Sequence, residues 1–579
     1  MSERDTLREL EALSLGFRQR YLDYEDLTRQ LHAWTRRYPQ LAQLQSLGNT
    51  PEGRELWLLI IGPDPDQRRP AVWIDGDLHA IEYAGNSVAL AIAEDALELH
   101  LAPEQGLPEV PPPIRDAARN TLFYVMPRMS PDGVERALTT GHYIRSVPRD
   151  ARPARGEPYW VGDDIDGDGL ALTMRQQNPD GEFVESAEFP GLMLQREIDH
   201  PGPYYKIYPE GYIRNFNGRD VPNPRYLSDN APDLNRNFPH RWAPEHVQPG
   251  GGPYPVSEPE SQAVVEFTSA HPNIYAWLNL HTVGGVYIRP PGHFPDSEMN
   301  RNDLALYRQI AHWAEGITGY PTVTGYDENQ ARPVPPLHGG VIAYAHHLRG
   351  CIALCAEMWD VFAQMGIEPK RPFVDHYSHI SADDALRMAR WDRAHNHSRI
   401  LPGWRRAEHP QLGPVEVGGF DPRVGLINPP NEKLPDLCAQ QSALWLRVAS
   451  LAPRIAIDTL RSRALGANLT QVDASIANHG YLATFILQSA NELDWNGPLY
   501  AALELKGARL VEPSEARRCI GHLDGWGRGR FAEEVALFEP ISRGSTSRTT
   551  CHWTVEGHGR GIVRVGNSRV GWVNDEISF

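Results

Sequence analysis

Cysteine is scarce in this chain, and long hydrophobic runs are absent from its sequence. Five cysteines occur among 579 residues, at irregular spacing and with no C-x-x-C pair. This pattern is typical of reduced, mostly buried thiols and argues against a disulfide framework or a thiolate zinc site. The longest apolar stretch, residues 56–61, is far shorter than the roughly 20 residues that span a bilayer. No transmembrane helix is therefore expected.

Basic residues are outnumbered by acidic ones. The sequence holds 56 Lys and Arg against 74 Asp and Glu, a formal net charge of −18. An acidic surface repels phosphate groups, so we expect neither nucleic-acid binding nor docking on an anionic membrane. The first twenty residues mix charges and contain no apolar core of about 7 to 15 residues, as a secretory signal would. These features favour a cytoplasmic protein and leave its oligomeric state open.

The residues that are plentiful suit a folded enzyme-sized chain. Hydrophobic residues make up 41% of it, which is enough for a substantial core. Helical periodicity covers residues 1–45. Beyond them, strand patterns at 55–61, 70–74, 120–126, 275–280 and 351–356 alternate with helix patterns at 86–101, 259–271 and 303–318. This alternation predicts an α/β fold with a mixed central sheet flanked by helices.

Two segments depart from the α/β alternation. Residues 150–231 are rich in Gly, Pro and Asp and are too long for a plain loop, so we expect an insertion with a function of its own. After a predicted helix at 434–451, strand-like runs follow at 454–460, 471–476, 482–487, 499–505 and 561–565. Their spacing is typical of a small all-β sandwich. The predicted domains are residues 15–454 and residues 455–579.

An H-x-x-E pair, His79 and Glu82, lies in the loop between a predicted strand and a helix. A histidine nitrogen and a carboxylate at this spacing can bind one zinc ion. With 23 His and 74 acidic residues, roughly three such spacings arise by chance. A second pair, His312 and Glu315, falls within an amphipathic helix and is interpreted as a surface pair. His79 differs because α/β sheets place their sites at strand ends.

A catalytic zinc needs a third protein ligand and an open coordination position. His281 is the candidate, because it ends the apolar run at 275–280 and precedes a Gly-Gly turn. An isolated histidine is more often a hydrogen-bonded core residue than a ligand. Two histidines at strand ends, together with a carboxylate, make a zinc site a reasonable hypothesis.

Several motifs resemble, in order and spacing, those of the zinc carboxypeptidases of the carboxypeptidase A type. The resemblance covers most of residues 15–450, and an Asp/Gly-rich insertion with a C-terminal β domain is similar to bacterial members. The motifs are YP-x-L with G-x-T-x-E-G-R-E at 38–55, HAIE at 79–82, SPDG at 130–133, DLNRNF at 233–238, GGPYPVSEPES at 251–261, and Gly339-Gly340 with Glu357 seventeen residues later.

The resemblance implies a zinc site and a catalytic base. His79, Glu82 and His281 would be the zinc ligands. Zinc lowers the pKa of its bound water and polarises a carbonyl. Glu357 would take the proton of the zinc-bound water as general base and return it to the leaving amine. Arg145, twelve residues after the SPDG turn, would stabilise the oxyanion.

The resemblance also implies how a substrate would bind. Asn235 and Arg236 would hold the terminal carboxylate, the arginine through a two-pronged contact. Ile342 aligns with the floor of the side-chain pocket and favours apolar or aromatic C-terminal residues. The chain departs from the digestive members of the family at two positions. Ile81 replaces an arginine, and Pro335 replaces a mobile tyrosine, for which Tyr326 is a candidate substitute.

The insertion carries a signal of its own. Asp164, Asp166 and Asp168, followed by Gly169, match the first half of a calcium-binding loop. Arg175 stands at the twelfth position instead of glutamate, so the EF-hand pattern is incomplete. Calcium is the predicted second metal, and a solvated acidic turn is the alternative.

Together these features predict a zinc metallocarboxypeptidase. Its partner would be a peptide, or a peptide-like molecule, with a free C-terminal carboxylate. One alternative is an amidohydrolase of the aspartoacylase-like group, against which the DLNRNF motif and the chain length argue. The other is a non-catalytic binding protein stabilised by zinc or calcium, whose β domain recognises a partner. A purely structural zinc site would be closed by a fourth ligand, which argues against this reading.

Overall fold

The computed structural model describes residues 2–149, 156–224, 232–330, 337–378, 380–527, 542 and 544–579. The strands are β1 (Ala42–Asn49), β2 (Glu55–Ile61), β3 (Ala71–Asp75), β4 (Leu122–Met126), β5 (Tyr159–Gly162), β6 (Thr173–Gln177), β7 (Phe183–Glu185), β8 (Met193–Gln195), β9 (Tyr204–Pro209), β10 (Gly211–Arg214), β11 (Ile274–Thr282), β12 (Val286–Arg289), β13 (Thr322–Thr324), β14 (Ile352–Met358), β15 (Trp404–His409), β16 (Gly413–Gly418), β17 (Ile455–Ala464), β18 (Leu469–Asn478), β19 (Leu499–Glu512), β20 (Arg517–Gly521), β21 (Arg548–Asn567) and β22 (Gly571–Ser578).

The helices lie between these strands. They are α1 (Glu3–Ala12), α2 (Tyr24–Arg37), α3 (Ala84–Leu101), α4 (Pro112–Ala118), α5 (Pro131–Thr140), α6 (Pro259–Ala270), α7 (Arg301–Thr318), α8 (Gly325–Gln330), α9 (Val341–His347), α10 (Val361–Gln364), α11 (Asp375–Ser378), α12 (Ala382–His395) and α13 (Leu434–Ala449). Across the described ranges, no helix combines the length and the apolar character that crossing a membrane requires.

The centre of the fold is an eight-stranded mixed sheet in the order β1-β2-β4-β3-β11-β14-β12-β13. Strands β4, β3, β11 and β14 run parallel to one another. These four strands are almost entirely buried, because helices cover both faces of a parallel sheet. On one face, α3 and α13 bury Leu90 and Trp445. On the other, α6 and α9 bury Phe267 and Tyr344 against Trp277.

The structure confirms the predicted fold class, and five predicted strands coincide with β2, β3, β4, β11 and β14. Two local predictions are wrong. The helical periodicity predicted over residues 1–45 ends at Arg37, and Ala42 already begins β1. The apolar residues keep a three- and four-residue spacing beyond the end of the helix by coincidence, and there they belong to β1, which pairs with β2. Residues 482–487 form a loop instead of a strand.

The insertion is more ordered than its sequence indicates. Its described residues form six short strands, β5 to β10. Strands β6 to β9 join β15 and β16 in a second six-stranded sheet of order β15-β16-β6-β9-β7-β8. Strands of three to six residues are too short to give a clear period-2 pattern. Their partners β15 and β16 lie far along the chain, so the local sequence gives no sign of this sheet.

The predicted all-β character of the C-terminal region is confirmed. Strands β17 to β22 form an antiparallel sheet around the long strand β21. Its first half pairs with β18 and its second half with β22, while β19 follows the opposite edge. A separate apolar cluster that includes Trp553 fills this region. Arg569 joins it to the rest of the chain, because its buried guanidinium donates to the carbonyls of Pro272, Arg349 and Gly350 at 2.6 to 3.0 Å.

Candidate metal and substrate site

Two neighbouring parallel strands bring the three predicted zinc ligands together. His79 and Glu82 lie in the loop after β3, and His281 is the penultimate residue of the adjacent strand β11. His281 Nδ1 lies 3.0 Å from His79 Nδ1 and 2.8 Å from Glu82 Oε2. His79 Nδ1 lies 2.9 Å from Glu82 Oε1. All three side chains are buried, and their donor atoms lie within 4.8 Å of one another.

The surroundings of these residues fit a zinc ion. The Nε2 atom of His79 faces Asp233 Oδ1 at 3.3 Å, and the Nε2 atom of His281 faces Asn279 Oδ1 at 2.5 Å. When Nε2 donates to these acceptors, Nδ1 carries a lone pair, as in most metal-binding histidines. Two such lone pairs and a carboxylate facing one another in a buried space repel unless a cation lies between them. Two histidines and one glutamate are a ligand set of catalytic zinc sites.

Asn279 connects His281 to a buried polar network. Its amide donates to Asp75 Oδ1, and the Asp75 carboxylate also accepts the indole N–H groups of Trp73 and Trp277, each at 2.7 Å. Burial raises the pKa of Asp75 to about 6. Asn279 is not among the site residues predicted from the sequence. Its signal is an asparagine within the apolar run at 275–280, because a buried amide needs partners.

The charge balance of the site favours an ionised Glu82. Burial disfavours its charged form, but the positive potential of His79 and His281 holds the pKa of Glu82 below its ordinary value. Burial likewise lowers the pKa of the His281 imidazole, and the Glu82 charge outweighs this and raises it. A cation bound between neutral histidines would act on Glu82 in the same direction, so the carboxylate is ionised with either source of positive charge.

The predicted base lies beside the ligands. Glu357 is the penultimate residue of β14 and the register partner of His281 on β11. Burial raises the pKa of Glu357 to about 7, and the nearby Glu82 charge acts in the same direction. The thiol of Cys355, two residues earlier, lies 3.7 Å from Glu357 Oε1. A carboxyl group with a pKa near neutrality can both accept and donate a proton.

Arg145 reaches the site from the loop after α5. The carbonyls of Ile144 and Arg145 accept the amide N–H groups of Ile81 and Ala80, at 3.0 and 2.6 Å. This pairing fixes the arginine loop against the H-x-x-E loop. Arg145 Nε donates to Asp233 Oδ2 at 2.7 Å. Burial alone would lower the pKa of the Arg145 guanidinium, but the Asp233 and Glu82 charges raise it, so the cation is retained.

Asp233, which the sequence analysis quoted in a motif without assigning a role, links three predicted site residues. Its carboxylate contacts His79 and Arg145, and it also accepts the backbone N–H of Asn235 at 2.9 Å. Burial opposes its ionisation, yet the Arg145 charge holds the pKa of Asp233 well below its ordinary value. Its signal in the sequence is its position two residues before Asn235.

The predicted carboxylate-binding residues lie in a turn of 3-10 helix capped by Asp233. Asn235 Oδ1 accepts the backbone N–H of Val341 at the start of α9, at 3.0 Å. Arg236 Nη1 donates to the Asn235 carbonyl at 2.8 Å. Gly339 has φ +66°, and a Cβ there would lie 2.1 Å from the Arg236 carbonyl oxygen. Only glycine fits this position, so the Gly-Gly turn holds the backbone of Arg236.

The other residues named in the sequence predictions have less specific surroundings. Ile342 lies half-buried in α9 against the apolar cluster under the central sheet. Ile81 is buried within the H-x-x-E loop. Tyr326 lies half-buried in α8, its backbone N–H bonded to Pro291. Pro335 lies outside the described residues. His312 and Glu315 are exposed on α7, as a surface pair should be.

Tyr143 is a further residue near the site that was not predicted from the sequence. It lies two residues before Arg145 in the same loop. Burial raises the pKa of the Tyr143 phenol to about 12, while the Arg145 charge opposes this shift and the Glu82 and Asp233 charges add to it. The phenol is therefore protonated at neutral pH and lies within electrostatic reach of the site.

The acidic turn of the insertion brings its three aspartates together. Asp164, Asp166 and Asp168 have carboxylate oxygens within 4.8 Å of one another. Asp164 accepts two backbone N–H groups of its own turn, each at 2.7 Å. Arg405 of β15 pairs with Asp166 at 3.0 Å and also with Asp168. The turn is thus already partly neutralised by an arginine.

Comparisons with known proteins agree with these observations. The model of the zinc carboxypeptidase family matches residues 27–168 and 176–376, and a domain of unknown function matches residues 454–578. A zinc carboxypeptidase of Saccharothrix mutabilis subsp. capreolus is 25% identical over 135 residues, or 23% of this chain and 29% of that protein. Carboxypeptidase B of Astacus astacus is 29% identical over 127 residues, or 22% and 38%. The matches thus span well under half of these relatives' lengths.

Among solved structures, bovine thrombin-activatable fibrinolysis inhibitor in complex with tick carboxypeptidase inhibitor is similar. It has a TM-score of 0.41 and 14% identity, covering 75% of this chain and 98% of that one.

Two histidines and a glutamate, gathered where two parallel strands of the mixed sheet end, form a candidate three-ligand metal site. The family match covers more than half of the chain. The chain belongs to the zinc carboxypeptidase family.

Proposed function

We propose that the protein is a zinc-dependent metallocarboxypeptidase that removes C-terminal residues from peptides. The observation that carries this proposal is the convergence of His79 Nδ1, His281 Nδ1 and Glu82 within 3.0 Å of one another. These three residues would hold the metal. Zinc, when bound, polarises a carbonyl and lowers the pKa of a water molecule.

The other residues of the site would carry out the proton transfers and the charge stabilisation. Glu357 accepts a proton from the attacking water and then donates it to the leaving amine, for which a pKa near 7 is well suited. Arg145 remains a cation and stabilises the negative charge that develops on the carbonyl oxygen. Asp233 holds the Arg145 guanidinium at 2.7 Å and orients the His79 imidazole.

Substrate orientation would come from the capped turn. Asn235 and Arg236 bind the free C-terminal carboxylate, and the guanidinium provides two parallel donors. This contact selects exopeptidase substrates, because an internal peptide bond offers no terminal carboxylate. Ile342 at the start of α9 supplies an apolar wall, which favours apolar or aromatic C-terminal residues. In this assignment, residues 15–454 form the catalytic domain and residues 455–579 a separate β domain.

Calcium remains a second proposed metal. Asp164, Asp166 and Asp168 supply the oxygen ligands that calcium prefers. The ion would compete with the Arg405 guanidinium, which already pairs with two of these carboxylates. Calcium binding is therefore expected to be weak unless Arg405 moves away.

Metal analysis and hydrolysis of an N-blocked dipeptide test this function together. The wild-type protein should contain one zinc per chain and hydrolyse the dipeptide. His281→Ala should lose the zinc and the activity, because two remaining ligands bind weakly. Glu357→Gln should retain the zinc while kcat falls by about 10²- to 10⁴-fold, since the proton acceptor is lost and the shape is kept.

His312→Ala is the matched control, because this histidine belongs to the exposed H-x-x-E pair on α7. It should keep both zinc and activity. Stoichiometric zinc in His281→Ala would contradict the metal assignment. Full activity of Glu357→Gln would contradict the mechanism.

A further inference from the structure

Residues 421–428 form a tightly bonded loop between the second sheet and α13, which we name the clamp loop. The amide of Gly425 donates to the Asn428 carbonyl at 2.7 Å, and the amide of Asn428 donates to the Arg423 carbonyl at 3.0 Å. Asn396, which follows α12, also donates to the Val424 carbonyl at 3.0 Å. The loop is therefore held in one conformation. It lies beyond residue 376, where the family match ends.

The side chain of Asn428 bonds the H-x-x-E loop on both sides of Glu82. Its Oδ1 accepts the backbone N–H of Ala84 at 2.9 Å, and its Nδ2 donates to the carbonyl of Ile81 at 2.8 Å. Asn428 is completely buried, so water cannot replace it at these groups. A single amide therefore fixes the peptide group that precedes Glu82 and the first residue of α3.

The clamp loop also contacts residues next to the segments that carry Glu357 and Arg145. The Trp359 indole, two residues after Glu357, donates to the Gly425 carbonyl at 3.0 Å. Arg423 donates to the carbonyls of Ala137 and Leu138 near the end of α5, at 3.4 and 3.3 Å. Helix α5 precedes the loop of Arg145. One segment thus contacts the loop that carries a metal ligand and the residues that flank the segments of the base and the arginine.

We propose that Asn428 is a positioning residue for the metal site. It sets the backbone of the H-x-x-E loop so that His79 and Glu82 point at the same centre. The Ile144 and Arg145 carbonyls hold one side of this loop, and Asn428 holds the other. Without the amide, a buried carbonyl and a buried N–H lose their partners, and the loop shifts to recover them. This inference rests on the proposed function.

The test is the zinc dissociation constant, measured by competition with a chelator. Asn428→Ala should raise it by about 10- to 100-fold, the effect typical of residues that orient metal ligands. Its kcat should fall while KM stays near wild type, since Arg236 is untouched. Asn428→Asp keeps the shape and the acceptor for Ala84 but sets an oxygen against the Ile81 carbonyl. Zinc affinity should fall in this variant as well.

Asn478→Ala is the matched control. This buried asparagine in the β domain also bonds backbone groups on two sides, accepting from Arg454 and Gly480 at 2.9 and 3.0 Å and donating to Leu482 at 2.8 Å. It should lower the melting temperature and leave zinc affinity unchanged. If both Asn428 variants fold and bind zinc like the wild type, the inference is overturned while the proposed function stands. If the wild type binds no zinc, the proposed function itself fails.

Discussion

At the scale of single residues, one carboxylate organises much of the site. Asp233 caps the turn of Asn235, receives the Arg145 guanidinium and orients His79. A change at Asp233 would therefore disturb the proposed metal site, the oxyanion contact and the substrate turn together. Arg236 has a narrower proposed task, the binding of the substrate carboxylate, and its own contact with Asp233 Oδ2 is long, at 3.9 Å. It is the residue at which substrate binding can be tested separately from chemistry.

Arg236→Ala should weaken hydrolysis of peptides with a free C-terminus and spare the residual cleavage of amidated peptides. Each charge-assisted hydrogen bond contributes about 1.5–3 kcal/mol, so kcat/KM for the free acid should fall by roughly 10- to 150-fold per lost bond. The measurement is kcat/KM on a matched pair of free and amidated peptides. Arg406→Ala, at an exposed arginine of β15, should behave as wild type. Equal losses on both peptides would remove the case for an exopeptidase.

At the scale of elements, the sequence predicts the parts whose signals are local. The buried strands β3, β11 and β14 are recognisable in the sequence as apolar runs. For that reason His79, His281 and Glu357 could be placed at or just after their ends. Asn279 carried a readable signal, a polar residue in an apolar strand. Asn428 carried none, because its contacts with Ile81 and Ala84 join residues about 345 positions apart.

The second sheet also depends on contacts between residues far apart in the sequence, which local patterns do not predict. Arg175 stands at the position where a complete EF-hand would have glutamate. In the structure it lies in β6 and pairs with Glu416 of β16 at 2.8 Å and Glu185 of β7 at 2.9 Å. Its identity is explained by a strand that is 241 residues away. The local spacing of residues therefore gives no indication that Arg175 pairs with these two glutamates.

Calcium should raise the melting temperature if the acidic turn binds it. An ion that binds only the folded chain stabilises it by about 2.7 kcal/mol at a hundredfold excess over its dissociation constant. Thermal denaturation in chelator and in millimolar calcium gives the comparison. Arg405→Ala should strengthen the response, because the guanidinium no longer competes for Asp166 and Asp168. If calcium leaves the melting temperature unchanged in both the wild type and Arg405→Ala, the site is excluded.

At the scale of the whole molecule, one buried arginine contributes three of the contacts that join the β domain to the region of the central sheet. Arg569 donates to three carbonyls of the preceding region and stacks on Trp495, 5.0 Å from its ring centroid. Its side chain is almost completely inaccessible to solvent. The loss of this guanidinium would remove a donor from each of the three carbonyls, and the bond to Gly350 is the buried one.

Arg569→Ala should destabilise the protein by about 1–3 kcal/mol, the cost of leaving the buried Gly350 carbonyl without its partner. Calorimetry should show a lower melting temperature, and limited proteolysis should cut between the two regions more readily. Arg564→Ala is the matched control, because this arginine of β21 is half exposed and forms an ion pair with Glu504 on the surface. A wild-type melting temperature of Arg569→Ala would show that the junction does not depend on it.

The pairing of β6 with β16 also has a consequence for folding during synthesis. Strand β6 leaves the ribosome 241 residues before the strand that completes its sheet. At about 5–20 residues per second, this interval is roughly 12 to 48 s. During that interval the edge of β6 has no partner, and an unpaired strand edge invites association with other chains. Newly made chains should therefore need protection by a chaperone until residue 418 has emerged.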